Sequence, residues 1–250
     1  MKKLTLLLFL AVFSFQTHAQ DSVVEKIKAA MKSDIRTEKE IARDRNRKPL
    51  ETLSFFQLKD DMRVLELVPS SGWYTKILAP TLRENGELYV AFWTDNIKSN
   101  LITKPGFEHI KVIDGFKPSI SESDRYDIYD LDTFSFGVTG LDLVVTFRNI
   151  HNFTEKGRES INQATYDALK SGGLYGVIDH TRRHMQAYNS ENRRRADPVV
   201  IIKELLDVGF EFVDHSNLHY RLDDELRYEV GRPTVTGHTD RFTFLFRKPL

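Results

Sequence analysis

Residues 64–82 read VLELVPSSGWYTKILAPTL, and the character of the chain changes twice along them. Arg63–Val68 is a short apolar run interrupted by Glu66, as a strand buried on both faces requires. Val68-Pro69-Ser70-Ser71-Gly72 are small or turn-forming, and from Trp73 to Arg83 the apolar residues recur at helical spacing. Strand, tight loop and helix form the opening unit of a doubly wound sheet. Ligands of such sheets bind beyond the carboxyl ends of the strands, near the switch point, so a site is expected over Glu66 to Gly72. A helix starting near Trp73 would aim its free N–H groups at polar parts of that ligand.

The same alternation continues downstream. Glu87–Trp93 predicts a second strand closed by Thr94-Asp95-Asn96, and Phe107–Ile113 a weaker third ending at Asp114-Gly115. Leu141–Phe147, LDLVVTF, reads as a central parallel strand. Glu155–Lys170 predicts a helix, Ser171-Gly172-Gly173 a turn and Leu174–Asp179 a fifth strand. Asp197–Val208 predicts a helix capped by Gly209, followed by strands at Glu211–Asp214 and Arg241–Arg247. Upstream, Asp21–Arg45 reads as one or two amphipathic helices, and Pro49 opens a short helix carrying Leu50, Leu53, Phe55 and Phe56. The expected fold is α/β: a Rossmann-like, doubly wound, mostly parallel seven-stranded sheet with a C-terminal antiparallel hairpin. A single domain is expected over residues 20–250, with an N-terminal helical extension over 20–60.

Composition narrows the function. A 250-residue chain with 40% hydrophobic and 29% charged residues has the make-up of a folded protein, which excludes disorder. Its formal net charge is zero, so no global field draws it to nucleic acid or to an anionic membrane. The absence of cysteine excludes thiol nucleophiles, thiolate metal sites and iron–sulfur clusters. Lys2-Lys3, the apolar run Leu4–Phe15 and Thr17-His18-Ala19 read as a signal peptide over residues 1–19. That reading implies a periplasmic or secreted protein with no stable membrane insertion after cleavage. The apolar run is shorter than the ~20 residues of a spanning helix, and an uncleaved anchor is the other reading.

The order of strand, small-residue loop, helix, strand with an acid after it, and later Gly-Gly resembles class I S-adenosylmethionine (SAM)-dependent methyltransferases. It resembles most closely a group of predicted exported bacterial methyltransferases. The resembling pieces are RDRNRKPLETLSFF (43–56), VLELVPSSGWYTKILAP (64–80), FRNIHNF (147–153), LKSGGLYGVIDH (169–180) and GRPTVTGHTDRFTFLFRKP (231–249). The resemblance implies SAM as methyl donor and transfer to a small-molecule or envelope acceptor. It assigns cofactor contacts to Glu66, Pro69, Ser70, Ser71, Gly72, Asp95, Asp114, Arg148 and Asn149, with Asp95 on the ribose and Asp114 on the adenine. His151 is the expected general base for an acceptor that must lose a proton. Arg47, Tyr74, Asn152 and His180 are expected on the acceptor side. Of the glycines of the family's loop only Gly72 survives, and close relatives carry glycine where Ser70 and Ser71 stand. The alternative is a non-catalytic periplasmic binding protein that keeps the fold.

Other readings stay open from sequence. Asp95 and Asp114 read equally as turn residues, and His151 as a loop hydrogen bonder. His180/His184 and His215/His219 have a spacing that suits zinc on a helix, against isolated surface histidines; no HExxH accompanies them, and no metal is expected. Arg182, Arg183 and Arg193-Arg194-Arg195 read as contacts to an acidic acceptor or as a solvated basic face. Trp73, Tyr74, Phe92 and Trp93 read as ligand-flanking aromatics or as core.

Overall fold

The computed structural model describes residues 23–115, 120–122, 125 and 127–250. The signal peptide expected over residues 1–19 lies outside them. Four helices come first: α1 (23–31), α2 (Glu38–Ile41), α3 (Asp44–Arg47) and α4 (Pro49–Phe55). Then follow β1 (Arg63–Leu67), α5 (Thr75–Leu82), β2 (Glu87–Ala91), α6 (Asp95–Asn100), β3 (Lys111–Ile113), β4 (Ile120–Glu122), β5 (Tyr129–Leu131) and β6 (Leu141–Phe147). A 3₁₀ turn at Ile150–Asn152 leads to α7 (Glu155–Ala168), β7 (Leu169–His180), α8 (Pro198–Val208), β8 (Glu211–His215) and β9 (Arg241–Arg247).

Seven strands form one sheet in the order β3-β2-β1-β6-β7-β9-β8. The pairs from β3 to β7 are parallel, and β9 is antiparallel to both β7 and β8. Alternation explains the apolar runs. Val64, Leu143 and Val145 enter one core, with Ile77, Leu78 and Phe56, while Leu65, Leu67 and Val144 enter the other, with Ile161, Leu205 and Phe246. Val23, Ile27 and Ala30 of α1 belong to the first of these cores, so the N-terminal extension packs on the sheet itself. The mostly parallel sheet and its C-terminal hairpin agree with the sequence reading.

Local signals set the boundaries. Thr154 caps α7 by accepting from the Gly157 amide at 3.1 Å, and Asp197 caps α8 from the Val199 amide at 3.0 Å. Gly209, at φ 110°, ends α8 as expected. Elsewhere the structure departs from expectation. Helix α5 begins at Thr75 because Trp73 and Tyr74 still belong to the turn. Strand β3 spans only Lys111–Ile113. Ser171-Gly172-Gly173 is no turn: backbone bonds with Lys248 keep it in β7. Helix α6 and the β4–β5 hairpin carried no legible signal. No helix of the described residues is long and apolar enough to cross a membrane.

Candidate active site

Strand order reverses between β1 and β6, and a cavity of about 200 Å³ opens beyond their carboxyl ends. Its walls include Glu66, Pro69, Ser70, Ser71, Tyr74, Arg148 and Asn149, with Arg43 and Arg47 reaching in from α3 and the turn before it. Eight of the residues proposed from sequence for cofactor or acceptor therefore meet here, the eighth being Arg47.

The loop beneath this cavity keeps a glycine-type path on residues that are mostly not glycine. Val68, Ser70 and Gly72 stand at φ 53°, 57° and 80°, alternating with residues of negative φ. Ser71, expected to occupy a glycine position, does not have positive φ. A left-handed β-branched residue is a conformational outlier, and such strain concentrates where a loop is shaped for a ligand. Gly72 does not line the cavity. A Cβ there would approach Ile97 Cδ1 to 3.0 Å and Leu101 Cδ2 to 3.1 Å, so Gly72 is needed for close packing on α6 as well as for its φ. Asn149 ties the β6 loop to this one, its side-chain amide donating to the Val68 carbonyl at 3.2 Å.

Glu66 is buried at the cavity floor. Its carboxylate accepts from Thr75 Oγ1 at 2.6 Å, and burial pushes its pKa up to about 7. Tyr74 is a wall: it stacks on Phe147 at 3.5 Å and donates its hydroxyl to the Arg47 carbonyl at 3.2 Å. Asp95 and Asp114 lie elsewhere. Phe92 and Trp93, both at positive φ, turn the chain so that Asp95 becomes the first residue of α6. The Asp95 side chain is 99% exposed and faces Lys98, which also pairs with Asp114 at 3.0 Å. Asp95 and Asp114, expected on the ribose and the adenine, thus lie outside this cavity in a surface ion-pair cluster. Asn152, half-buried on the 3₁₀ turn, lines neither this cavity nor the next.

A second cavity, of about 280 Å³, adjoins the first through the shared residues Arg43, Arg47 and Arg148. His151 and His180 line it. The buried Asp179 carboxylate holds His151 from two sides, accepting from its Nδ1 at 2.5 Å and its backbone amide at 2.9 Å. Nδ1 is thereby the protonated nitrogen, and Nε2 is left as the basic one. Burial, with Arg241 and other cations nearby, depresses His180 well below the ordinary imidazole range, so it is neutral. The zinc-spaced pairs separate: His184 faces Asp197 at 3.1 Å, and His219 is buried while His215 is exposed. No cluster of three or more metal-ligating His, Asp or Glu occurs among the described residues.

Sequence reasoning missed Asp179 and Arg241 as site residues. It noted Arg43 and Arg194 only within basic segments. Asp179-His180 at a strand end was the available signal for the dyad, but its partner His151 stands a full helix away in sequence.

A mostly parallel sheet of order β3-β2-β1-β6-β7-β9-β8 closed by an antiparallel hairpin is the Rossmann-like methyltransferase fold, and solved structures share it. A SAM-dependent methyltransferase from Aquifex aeolicus matches with TM-score 0.56 at 15% identity, over 90% of this chain and 97% of that one. The glycopeptide N-methyltransferase MtfA matches with TM-score 0.53 at 13% identity, over 82% and 91%. The [4+2]-cyclase SpnF matches with TM-score 0.55 at 15% identity, over 82% and 81%. No protein-family model matches the chain, and no curated protein sequence matches it significantly. At these identities the likeness concerns the fold, which hosts more than one chemistry.

Proposed function

We propose that the protein is a SAM-dependent methyltransferase acting on a small-molecule acceptor. The observation that carries this reading is the left-handed path of Val68, Ser70 and Gly72 above buried Glu66, at the mouth of a switch-point cavity. The residues fit the amino-acid end of the donor. Glu66, buried at the cavity floor, offers a carboxylate to the ammonium of that end. When bound, SAM supplies an electrophilic methyl group on a sulfonium.

The chain's own part is then positioning and proton removal. In-line alignment supplies most of the rate in such a transfer. His151 accepts the acceptor's proton at Nε2, and Asp179 fixes the ring and stabilises the imidazolium that results. Neutral His180, its ring centroid 5.8 Å from that of His151, adds no charge opposing the imidazolium. Lys2-Lys3 and the apolar run to Phe15 support export to the periplasm or beyond as part of this proposal. The mass of the protein recovered from its native compartment tests cleavage after Ala19.

Calorimetric titration with SAM and S-adenosylhomocysteine tests the function. Both are expected to bind, and Glu66→Ala is expected to abolish binding while circular dichroism shows an intact fold. A folded wild-type protein that binds neither ligand overturns the proposal.

A further inference from the structure

The second cavity has a lining of one sign. Arg43, Arg47, Arg148, Arg194 and Arg241 line it together with His151 and His180, and no carboxylate of the described residues does. Of these, His151 is paired with Asp179 and Arg194 with Glu229, which leaves Arg47, Arg148 and Arg241 without an acid among the described residues. Unpaired buried charge is costly, and proteins keep it where a ligand completes the pairing.

Arg47 shows the arrangement most clearly. Three donors hold its backbone carbonyl: Thr52 Oγ1 at 3.0 Å, Tyr74 hydroxyl at 3.2 Å and His219 Nε2 at 3.0 Å. Its side chain lies flat against Trp73, 4.3 Å from the ring centroid, with only 6% of the residue exposed. Yet the guanidinium has no hydrogen-bond acceptor among the described residues, and its Nε is buried without a partner. Arg241 is similar: one bond, to the Asn46 carbonyl at 2.9 Å, and a buried orphan Nε. Arg148 lines the cavity from a left-handed residue at φ 64°, and among the described residues its side chain has neither a hydrogen bond nor an ion pair. His180 Nδ1 is a further buried atom without a partner. Burial first, and then the crowding of like charges, depresses Arg47 to about 8 and Arg241 to about 10.

We infer that this cavity is the acceptor pocket and that it binds a small organic anion, a phosphomonoester or polycarboxylate, through Arg47, Arg148 and Arg241. The inference rests on the methyltransferase reading only in calling the anion an acceptor. Planar guanidinium forks suit phosphate and carboxylate oxygens. A volume of about 280 Å³ lies at the small end of ligand pockets, which fits a compact metabolite. The β8–β9 loop contributes Val230, Gly231, Thr236, Gly237 and Thr239 to the lining, so one wall of the pocket comes from a segment outside the sheet. Anchored there, the molecule would present a neighbouring hydroxyl to His151 Nε2.

Titration of the full chain with inorganic phosphate, glycerol 3-phosphate and citrate, followed by calorimetry and thermal shift, tests this. Saturable binding is expected, with glycerol 3-phosphate or citrate tighter than inorganic phosphate. Arg148→Met and Arg241→Gln should each weaken it at least tenfold, and the exposed Arg183→Met should leave it unchanged. If Arg241→Gln unfolds through loss of its bond to Asn46, Arg148→Met still decides. Absence of saturable binding to folded protein, equal affinity in the decisive variants, or preference for inorganic phosphate overturns the inference. SAM titrated separately keeps the two proposals apart. Anion binding without SAM binding defeats only the methyltransferase reading, and SAM binding without anion binding defeats only this one.

Discussion

Ser70 and Ser71 are neighbours of the same type in the same loop, and the structure separates them. Ser70 is exposed, stands at φ 57°, and its hydroxyl makes no hydrogen bond among the described residues. Holding an L-residue in the left-handed region costs ~1–2 kcal/mol, which glycine avoids. Glycine in turn loses ~0.5–1 kcal/mol through the greater freedom of its unfolded chain. Ser70→Gly should therefore stabilise the protein by about 0.5–1 kcal/mol, raising Tm by roughly 1–4 °C for a domain of this size. Ser71 lacks positive φ, so Ser71→Gly gains nothing and should lose about 0.5–1 kcal/mol. Urea unfolding and calorimetric melting of both variants measure the difference, expected to be about 1–2 kcal/mol in favour of Ser70→Gly. Destabilisation by Ser70→Gly, or equal effects of the two changes, would refute the left-handed reading of position 70. Val68→Gly is a weaker probe because it also removes a side chain packed against the second core.

Two further outcomes follow from groups that hold the β8–β9 loop, which lines part of the acceptor pocket. Arg195 and Asp224 form a bidentate pair at 2.8 and 2.9 Å, with side chains 0% and 1% exposed. Asp224→Ala, which leaves the arginine buried and unpaired, should cost about 3–5 kcal/mol in urea unfolding. His219 is depressed to about 4 by burial, against 6.5 in the open chain. The unfolded chain therefore binds more protons over that interval, and this contribution to stability falls by about 1.4 kcal/mol for each unit of pH lowered from 6.5 toward 4. Glu66, raised to about 7, acts oppositely, losing stability as pH rises from 4.5 to 7. The comparison of wild type with His219→Gln isolates the histidine component, and an unchanged slope in the variant would sink the assignment.

The fold was legible because its signals are local. A buried strand reads as an apolar run, and the loop and helix after it read as small residues and a 3.6-residue period; β1, β6 and β9 needed nothing more. The short elements α6, β4 and β5 span six, three and three residues, too few for a period to declare itself. Bonds to Lys248 overrode the turn propensity of Ser171-Gly172-Gly173. The site divides along the same line. Glu66, Pro69, Ser70 and Ser71 are contiguous with the strand that places them, so sequence position sufficed.

The acceptor side is a different kind of object, because residues near the two ends of the chain meet there with the loop after β6. Arg47 stands on α3 and Arg241 at the start of β9, and Arg241 reaches the Asn46 carbonyl while His219 reaches that of Arg47. None of these contacts has a sequence period: Arg47 was expected on the acceptor side through the resemblance alone, and nothing in the sequence joined it to Arg241. Their meeting in the fold explains why a neutral chain can contain a strongly cationic chamber: the excess is local and is balanced at the surface. A pocket built this way takes its cofactor half from the first strand and its loop, and its acceptor half jointly from the loop after β6, the end of β7, α3 and the β8–β9 segment. Selectivity for the acceptor should then follow changes in residues 43–47 and 230–241, while affinity for the donor should follow Glu66 and the loop 68–72.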